Sequence, residues 1–131
     1  MKKIFVFVAM LLSACASAQM KAKVTSNTST SHQVVLSWTT PVQPSGIVIS
    51  GYNIFKGTVS GQESPTPVNT SLITGLTFTD TTVTTGTTYF YTSQTVCNTC
   101  SPTASGPSNE VQASIPGGQP LPPVMNTPTA Q

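Results

Sequence analysis

Cys97 and Cys100, with Asn98-Thr99 between them, are the residues of this sequence best suited by type and spacing to chemistry. Two thiols three apart can act as a redox dithiol, as half of a metal site, or as a crosslink. A structural zinc takes four ligands and one C-x-x-C supplies two. His32 is the sole histidine, and Cys15, the remaining cysteine, stands far ahead near the N-terminus. No metal ligand set is therefore expected. A thioredoxin-type dithiol sits where a strand enters a helix whose N-terminus stabilises the thiolate. Here Ser101-Pro102-Thr103-Ala104-Ser105-Gly106-Pro107 follows, a poor start for a helix. On an extended strand, residues three apart are separated by about 10 Å, whereas a β-turn brings its ends within about 7 Å, inside disulfide reach. A structural disulfide Cys97–Cys100 across an Asn98-Thr99 turn is the expectation, with the redox dithiol behind it and metal last. So small a loop contributes about 2 kcal/mol in the chain-entropy model.

The other titratable groups are few. His32 stands in a Ser/Thr-rich stretch and is expected exposed and unengaged. Asp80 follows Phe78 at a strand end, where its carboxylate would accept turn amides. Glu63 lies in a Gly/Ser/Pro loop, and Glu110 starts the last strand. None of these neighbours another in sequence, and nothing in the order of elements brings a carboxylate pair to a nucleophile. Neither catalysis nor a cofactor is expected.

Charged residues make up 6% of the 131, and Arg is absent. Beyond Lys2 and Lys3 the balance is Lys21, Lys23 and Lys56 against Glu63, Asp80 and Glu110. Such a chain has no basic stripe for phosphates, so nucleic acid is not an expected partner. Met1-Lys2-Lys3 and the apolar run Ile4 to Leu12 read as an export signal over residues 1–18, too short to span a bilayer. Two cleavage patterns overlap in it. Leu12-Ser13-Ala14-Cys15 matches a bacterial lipobox, with Cys15 acylated, and Ala16-Ser17-Ala18 matches an ordinary cut after Ala18. The complete four-residue match directly after the apolar run favours lipidation of Cys15. Either cut sends the rest to an oxidising compartment.

Beyond the signal, apolar residues recur every second position. Val34, Leu36 and Trp38 share one face of a strand; Tyr52 and Ile54 of a second; Leu76 and Phe78 of a short third; Tyr89 and Tyr91 of a fourth; Val111, Ala113 and Ile115 of a fifth. Val24 marks a weaker first strand, and Val68 to Leu72 an edge strand. Short strands punctuated by Gly and Pro, rich in Thr, predict an all-β sandwich or barrel. Residues 117–131, rich in Pro, read as a flexible tail. Asn27-Thr28-Ser29 and Asn69-Thr70-Ser71 match the glycosylation pattern, which such a composition produces by chance.

The stretches VVLSWTTP, ISGYNIFKG, FTDTTVTTGTTYFY and SNEVQASI stand in the order and spacing of a bacterial fibronectin type III domain, which residues 22–116 resemble. The resemblance implies an immunoglobulin-like β-sandwich of about seven strands, with Trp38, Tyr52 and Tyr89 as core anchors. Val83 and Tyr89, six apart across Gly86, resemble the apolar residue and Tyr of a tyrosine corner. Ser93 departs from the pattern, which usually has a larger apolar residue there, and predicts a thin core beneath it. No Arg-Gly-Asp triplet is present, so integrin-type adhesion does not carry over.

These readings converge on a non-catalytic binding or adhesion module, secreted or held at the cell surface, with an extracellular protein or glycan as partner. A lipid on Cys15 would be its membrane contact. A structural spacer or self-associating subunit is the alternative, and a small thiol oxidoreductase using Cys97 and Cys100 the third. Strand parity turns Phe55 and Phe90 outward beside inward Tyr52, Ile54, Tyr89 and Tyr91. They are the candidate binding surface.

Overall fold

The period-two pattern builds six strands, β1 (Met20–Ser26), β2 (His32–Trp38), β3 (Gly51–Gly57), β4 (Thr77–Asp80), β5 (Thr88–Val96) and β6 (Val111–Ser114). The structure, a computed structural model, describes residues 18–26 and 31–118. The export signal up to Ser17 with Cys15, the Asn27 sequon and the tail beyond Gly118 lie outside them. Two antiparallel sheets, ordered β1-β2-β4 and β3-β5-β6, face each other. Met20 pairs with Trp38, Leu36 with Phe78, Ile54 with Ser93, and Tyr91 with Val111. This register sends Val34, Leu36, Trp38, Tyr52, Ile54, Tyr89, Tyr91, Ala113 and Ile115 into one core. The core starts earlier than the Ala22 boundary read from the sequence, because Ala18 and Met20 are buried in it.

Across the interface between sheets, Trp38 meets Tyr52 edge-on, with ring centroids 5.4 Å apart and planes at 63°. That is the favoured approach of two quadrupoles. Tyr89 accepts a 3.0 Å hydrogen bond at its hydroxyl from the Thr84 N–H. The corner turn passes through Gly86 at φ +75°, a conformation that glycine adopts without strain. Ser93 and Thr95 continue the inward face of β5 past Tyr91; both are buried, and their hydroxyls have no hydrogen-bond partner among the described residues. The core is thin at that end.

Three expectations need correcting. The sheets hold six regular strands rather than about seven. In the missing place, residues 64–73 run along the outer edge of β3 with one isolated bridge, Tyr52 to Ile73. Pro65 and Pro67 lack the N–H a ladder requires. Midway, the Asn69 carboxamide substitutes for backbone: its Oδ1 accepts from the Ile54 N–H at 2.8 Å, and its Nδ2 donates to the Tyr52 carbonyl at 3.3 Å and the Ser71 carbonyl at 2.9 Å. Leu76 does not share the inner face with Phe78. It precedes β4, 42% exposed, because the sheet ends there with the Trp38 N–H bonding its carbonyl. His32, likewise, is the half-buried first residue of β2, paired with Ser26, and not a free turn residue.

Replacing Trp38 with Ala removes the ring that both sheets close upon and should cost about 3–5 kcal/mol. Val35, on the other face of β2, should cost clearly less as Val35→Ala. Urea melts of the two variants measure this, and equal losses would reverse the assigned faces of β2.

Candidate functional site

Asp80 ends β4 and is 3% exposed, yet it carries charge. Its Oδ1 accepts from the Thr82 N–H at 2.8 Å and the Thr82 hydroxyl at 2.6 Å. Its Oδ2 accepts from Lys56 Nζ at 2.9 Å and from the Tyr91 hydroxyl at 2.9 Å. The turn-amide role read from sequence is one contact of four; the Lys56 and Tyr91 contacts were not foreseen. Burial raises the Asp80 carboxyl, but the hydrogen bonds from Lys56, Thr82 and Tyr91 outweigh it and hold the group below its ordinary value. Burial first, then Asp80 as a hydrogen-bond acceptor, pushes the Tyr91 phenol well above its ordinary value. Lys56 Nζ also stands 5.0 Å from the Tyr89 ring centroid, in cation–π range. Each lone pair facing inward has a donor. The cluster joins β4 to β3 and β5 and leaves no free base.

Glu63 and Glu110, which the sequence gave no reason to pair, come together. Gly57 permits the chain to double back beside β3, since a Cβ there would meet the Gln62 carbonyl oxygen at 2.6 Å. Burial raises the Glu63 carboxyl, and a hydrogen bond from it to Glu110 adds to the rise. Glu110 is held low by the Ser60 hydroxyl and the Gly61 N–H, each at 2.7 Å.

Cys97 and Cys100 are bonded, their Cα atoms 5.4 Å apart. The Cys100 N–H donates to the Cys97 carbonyl at 3.2 Å, closing the turn through Asn98-Thr99. The excursion is closed at its base by the Cys97 N–H to Thr103 carbonyl bond, 2.9 Å, and a bridge from Val96 to Ala104. Beyond it the chain returns along β5. The Ser105 hydroxyl accepts from the Thr95 N–H at 3.0 Å and the Ser108 hydroxyl from the Ser93 N–H at 2.9 Å. A shallow cavity of about 220 Å³ opens between this stapled loop and Gly46-Ile47 of the β2–β3 loop. It is lined by the disulfide, by Ile47, Pro102 and Ala104, and by Thr99, Ser101 and Thr103, with no titratable side chain.

Phe55 and Phe90 lie on the outer face of the β3-β5-β6 sheet, both half-buried. Phe55 is opposite Thr92 and Phe90 opposite Gly57, so the two are diagonal neighbours. Around them on that face stand Asn53, Gln94, Gln112 and Ser114. The core anchors Trp38, Tyr52 and Tyr89 are buried on the other side of the backbone. The binding candidates and the disulfide are therefore on one sheet, but the rings occupy its middle and the staple the end of β5.

Two outcomes follow from the clusters. Asp80→Ala strands Lys56, Thr82 and Tyr91 without their acceptor and should cost about 3–5 kcal/mol. A carboxylate lowered by folding stabilises above its unfolded value of about 3.9, and that contribution disappears as pH falls through the lower folded value. Urea melts across the acid range should show this loss in the wild type and not in Asp80→Asn. Thiol titration with intact mass should find no reactive thiol in the folded domain, and the Cys97→Ser, Cys100→Ser double variant should fold with about 2 kcal/mol less stability. Labelling of both thiols without reductant would refute the staple.

No family model matches the chain, and no curated protein does. Solved structures do. A Fn3-like protein from Clostridium thermocellum is similar at 28% identity and TM-score 0.58, over 82% of this chain and 99% of that one. The 6th fibronectin type III domain of a human fibronectin type III domain containing protein is similar at 21% identity and TM-score 0.56, over 85% and 96%. The kinase region of twitchin from C. elegans shares the fold at 18% identity and TM-score 0.59, over 79% of this chain and 17% of that one. With two facing antiparallel sheets and these structural neighbours, the folded body of this chain has the fibronectin type III fold.

Proposed function

We propose that this fibronectin type III domain is a non-catalytic module, exported and held at the cell surface, that binds an extracellular protein or glycan. Domains of this kind are generally non-catalytic. Here the groups able to do chemistry are committed to the fold: both thiols of the body are bonded, Asp80 has four donors, and Glu110 is held by Ser60 and Gly61. Burial of Ala18 in the core supports the cut before Cys15, because a cut after Ala18 would remove a packed residue. A near-neutral body without Arg binds through shape, stacking and amide hydrogen bonds rather than through charge.

The observation that carries the binding role is the pair of rings on the solvent face of β3 and β5. Phe55 and Phe90 are diagonal to each other amid Asn, Gln, Thr and Ser. Aromatic platforms framed by amides suit the apolar faces and hydroxyls of a sugar, or an aromatic or aliphatic side chain of a protein. The Phe55→Ser, Phe90→Ser double variant should keep its thermal transition and lose capture of extracellular glycan or protein several-fold, read by arrays and by pull-down from native envelope material. Unchanged capture by the folded variant would exclude this face.

A further inference from the structure

Large apolar side chains with substantial exposure are unevenly placed. Val42 is 88% exposed, Val48 72% and Leu76 42%, all in loops at one end of the sandwich, whereas Val59, 52% exposed, stands alone beyond the far end of β3. That end gathers the β2–β3 loop, the turn before β4 and the stapled loop after β5. Residues 39–50, 74–76 and 97–109, which make it up, contain no charged side chain. Exposed Lys21 stands on β1 opposite Ser37, and Glu110 follows Asn109 directly, its carboxylate turned to Ser60 and Gly61.

The N-terminal segment joins the domain at this same end, and its attachment is held firmly. The Thr39 N–H donates to the Gln19 carbonyl at 3.3 Å. Asn109 grips Met20 from both sides, its Oδ1 accepting the Met20 N–H at 2.7 Å and its Nδ2 donating to the Met20 carbonyl at 3.0 Å. Ala18 is buried. Cys15 is three residues ahead of Ala18, so a fully extended tether between them is about 11 Å long. Nine-residue β5, by comparison, spans about 30 Å. An acylated Cys15 cannot hold the domain clear of the bilayer or let it turn end over end.

We propose that the uncharged loop end is seated on the lipid surface, with Val42, Val48 and Leu76 in the headgroup–acyl boundary and Lys21 toward anionic headgroups. This rests on the anchored reading above. Acyl chains and exposed apolar side chains then act as two membrane signals in one place, which is what stable attachment requires. With no charged group in the three loops, the contact desolvates no ion. The β3-β5-β6 face carrying Phe55 and Phe90 stands upright from the membrane, open to an extracellular partner.

The test uses the full chain, produced with its own leader and recovered in processed form in vesicles of phosphatidylethanolamine and phosphatidylglycerol with brominated acyl chains. Trp38 is buried, so Val48→Trp reports the loop end and Val59→Trp, at an exposed site beyond the far end of β3, reports the opposite end. Both variants should float with the vesicles, with bromine quenching several-fold stronger for Val48→Trp than for Val59→Trp. Cys15→Ser should abolish flotation. Equal quenching in floating protein overturns the seating while leaving the anchor intact; absence of flotation overturns the anchor and the seating together. Flotation retained in Cys15→Ser removes the short tether and overturns the proposal. A Val48→Trp signal that follows protein concentration and ignores bromine assigns this end to a second copy and also overturns it.

Discussion

A buried carboxylate is costly to keep charged, and the sandwich is arranged around keeping Asp80 so. Apolar packing would let the two sheets slide over one another, since Val, Leu and Tyr faces tolerate many registers. Asp80 does not. Its two oxygens need donors from specific directions, and those come from the Thr82 turn, from Lys56 on β3 and from Tyr91 on β5. One carboxylate therefore fixes β4 of the first sheet against two strands of the second. Lys56, lying over Tyr89, ties that node to the corner turn through Thr84. Removing one partner of such a buried pair leaves the other uncompensated, which is strongly destabilising.

Much of the sandwich was legible because it is written in nearest neighbours. Val34-Leu36-Trp38, Tyr52-Ile54 and Tyr89-Tyr91 alternate within single strands, and alternation is a local property. The C-N-T-C turn was legible for the same reason, since four consecutive residues define its geometry. Leu76 misled because periodicity does not say where a sheet stops. The missing seventh strand misled differently: Val68 to Leu72 has strand composition, but Pro65 and Pro67 just ahead of it deny the segment a continuous ladder. The carboxyl pair was beyond reach. Glu63 and Glu110 meet only because the loop after β3 folds back past Gly57 toward the start of β6, a tertiary event with no trace in local spacing. Asp80 was legible as a turn acceptor and illegible as an inter-sheet node, for Lys56 and Tyr91 lie on other strands.

The molecule is chemically lopsided along its long axis. At one end stand neutral loops, a disulfide and small hydroxylated residues in a thin core. Toward the other lie the Asp80 node and the tyrosine corner, with strong and directional contacts. The ionic contacts are thus concentrated far from the N-terminal attachment, which the Asn109 carboxamide holds by neutral hydrogen bonds. The stapled excursion after β5 restores order where the core is weakest, because Ser105 and Ser108 supply to β5 the acceptors that a neighbouring strand would otherwise have given.

Asn69 bears on how the domain ages and keeps to itself. An open strand edge invites a strand from another molecule, the first step toward aggregation. Along β3 that invitation is withdrawn by residues 64–73, whose backbone bonds at Ser64, Val68 and Ile73 are joined by the Asn69 carboxamide between them. Hydrolysis of that amide to a carboxylate would convert a donor facing the Tyr52 and Ser71 carbonyls into an acceptor repelled by them. The edge of β3 would then lose the Asn69 contacts and keep only the backbone bonds with Ser64, Val68 and Ile73.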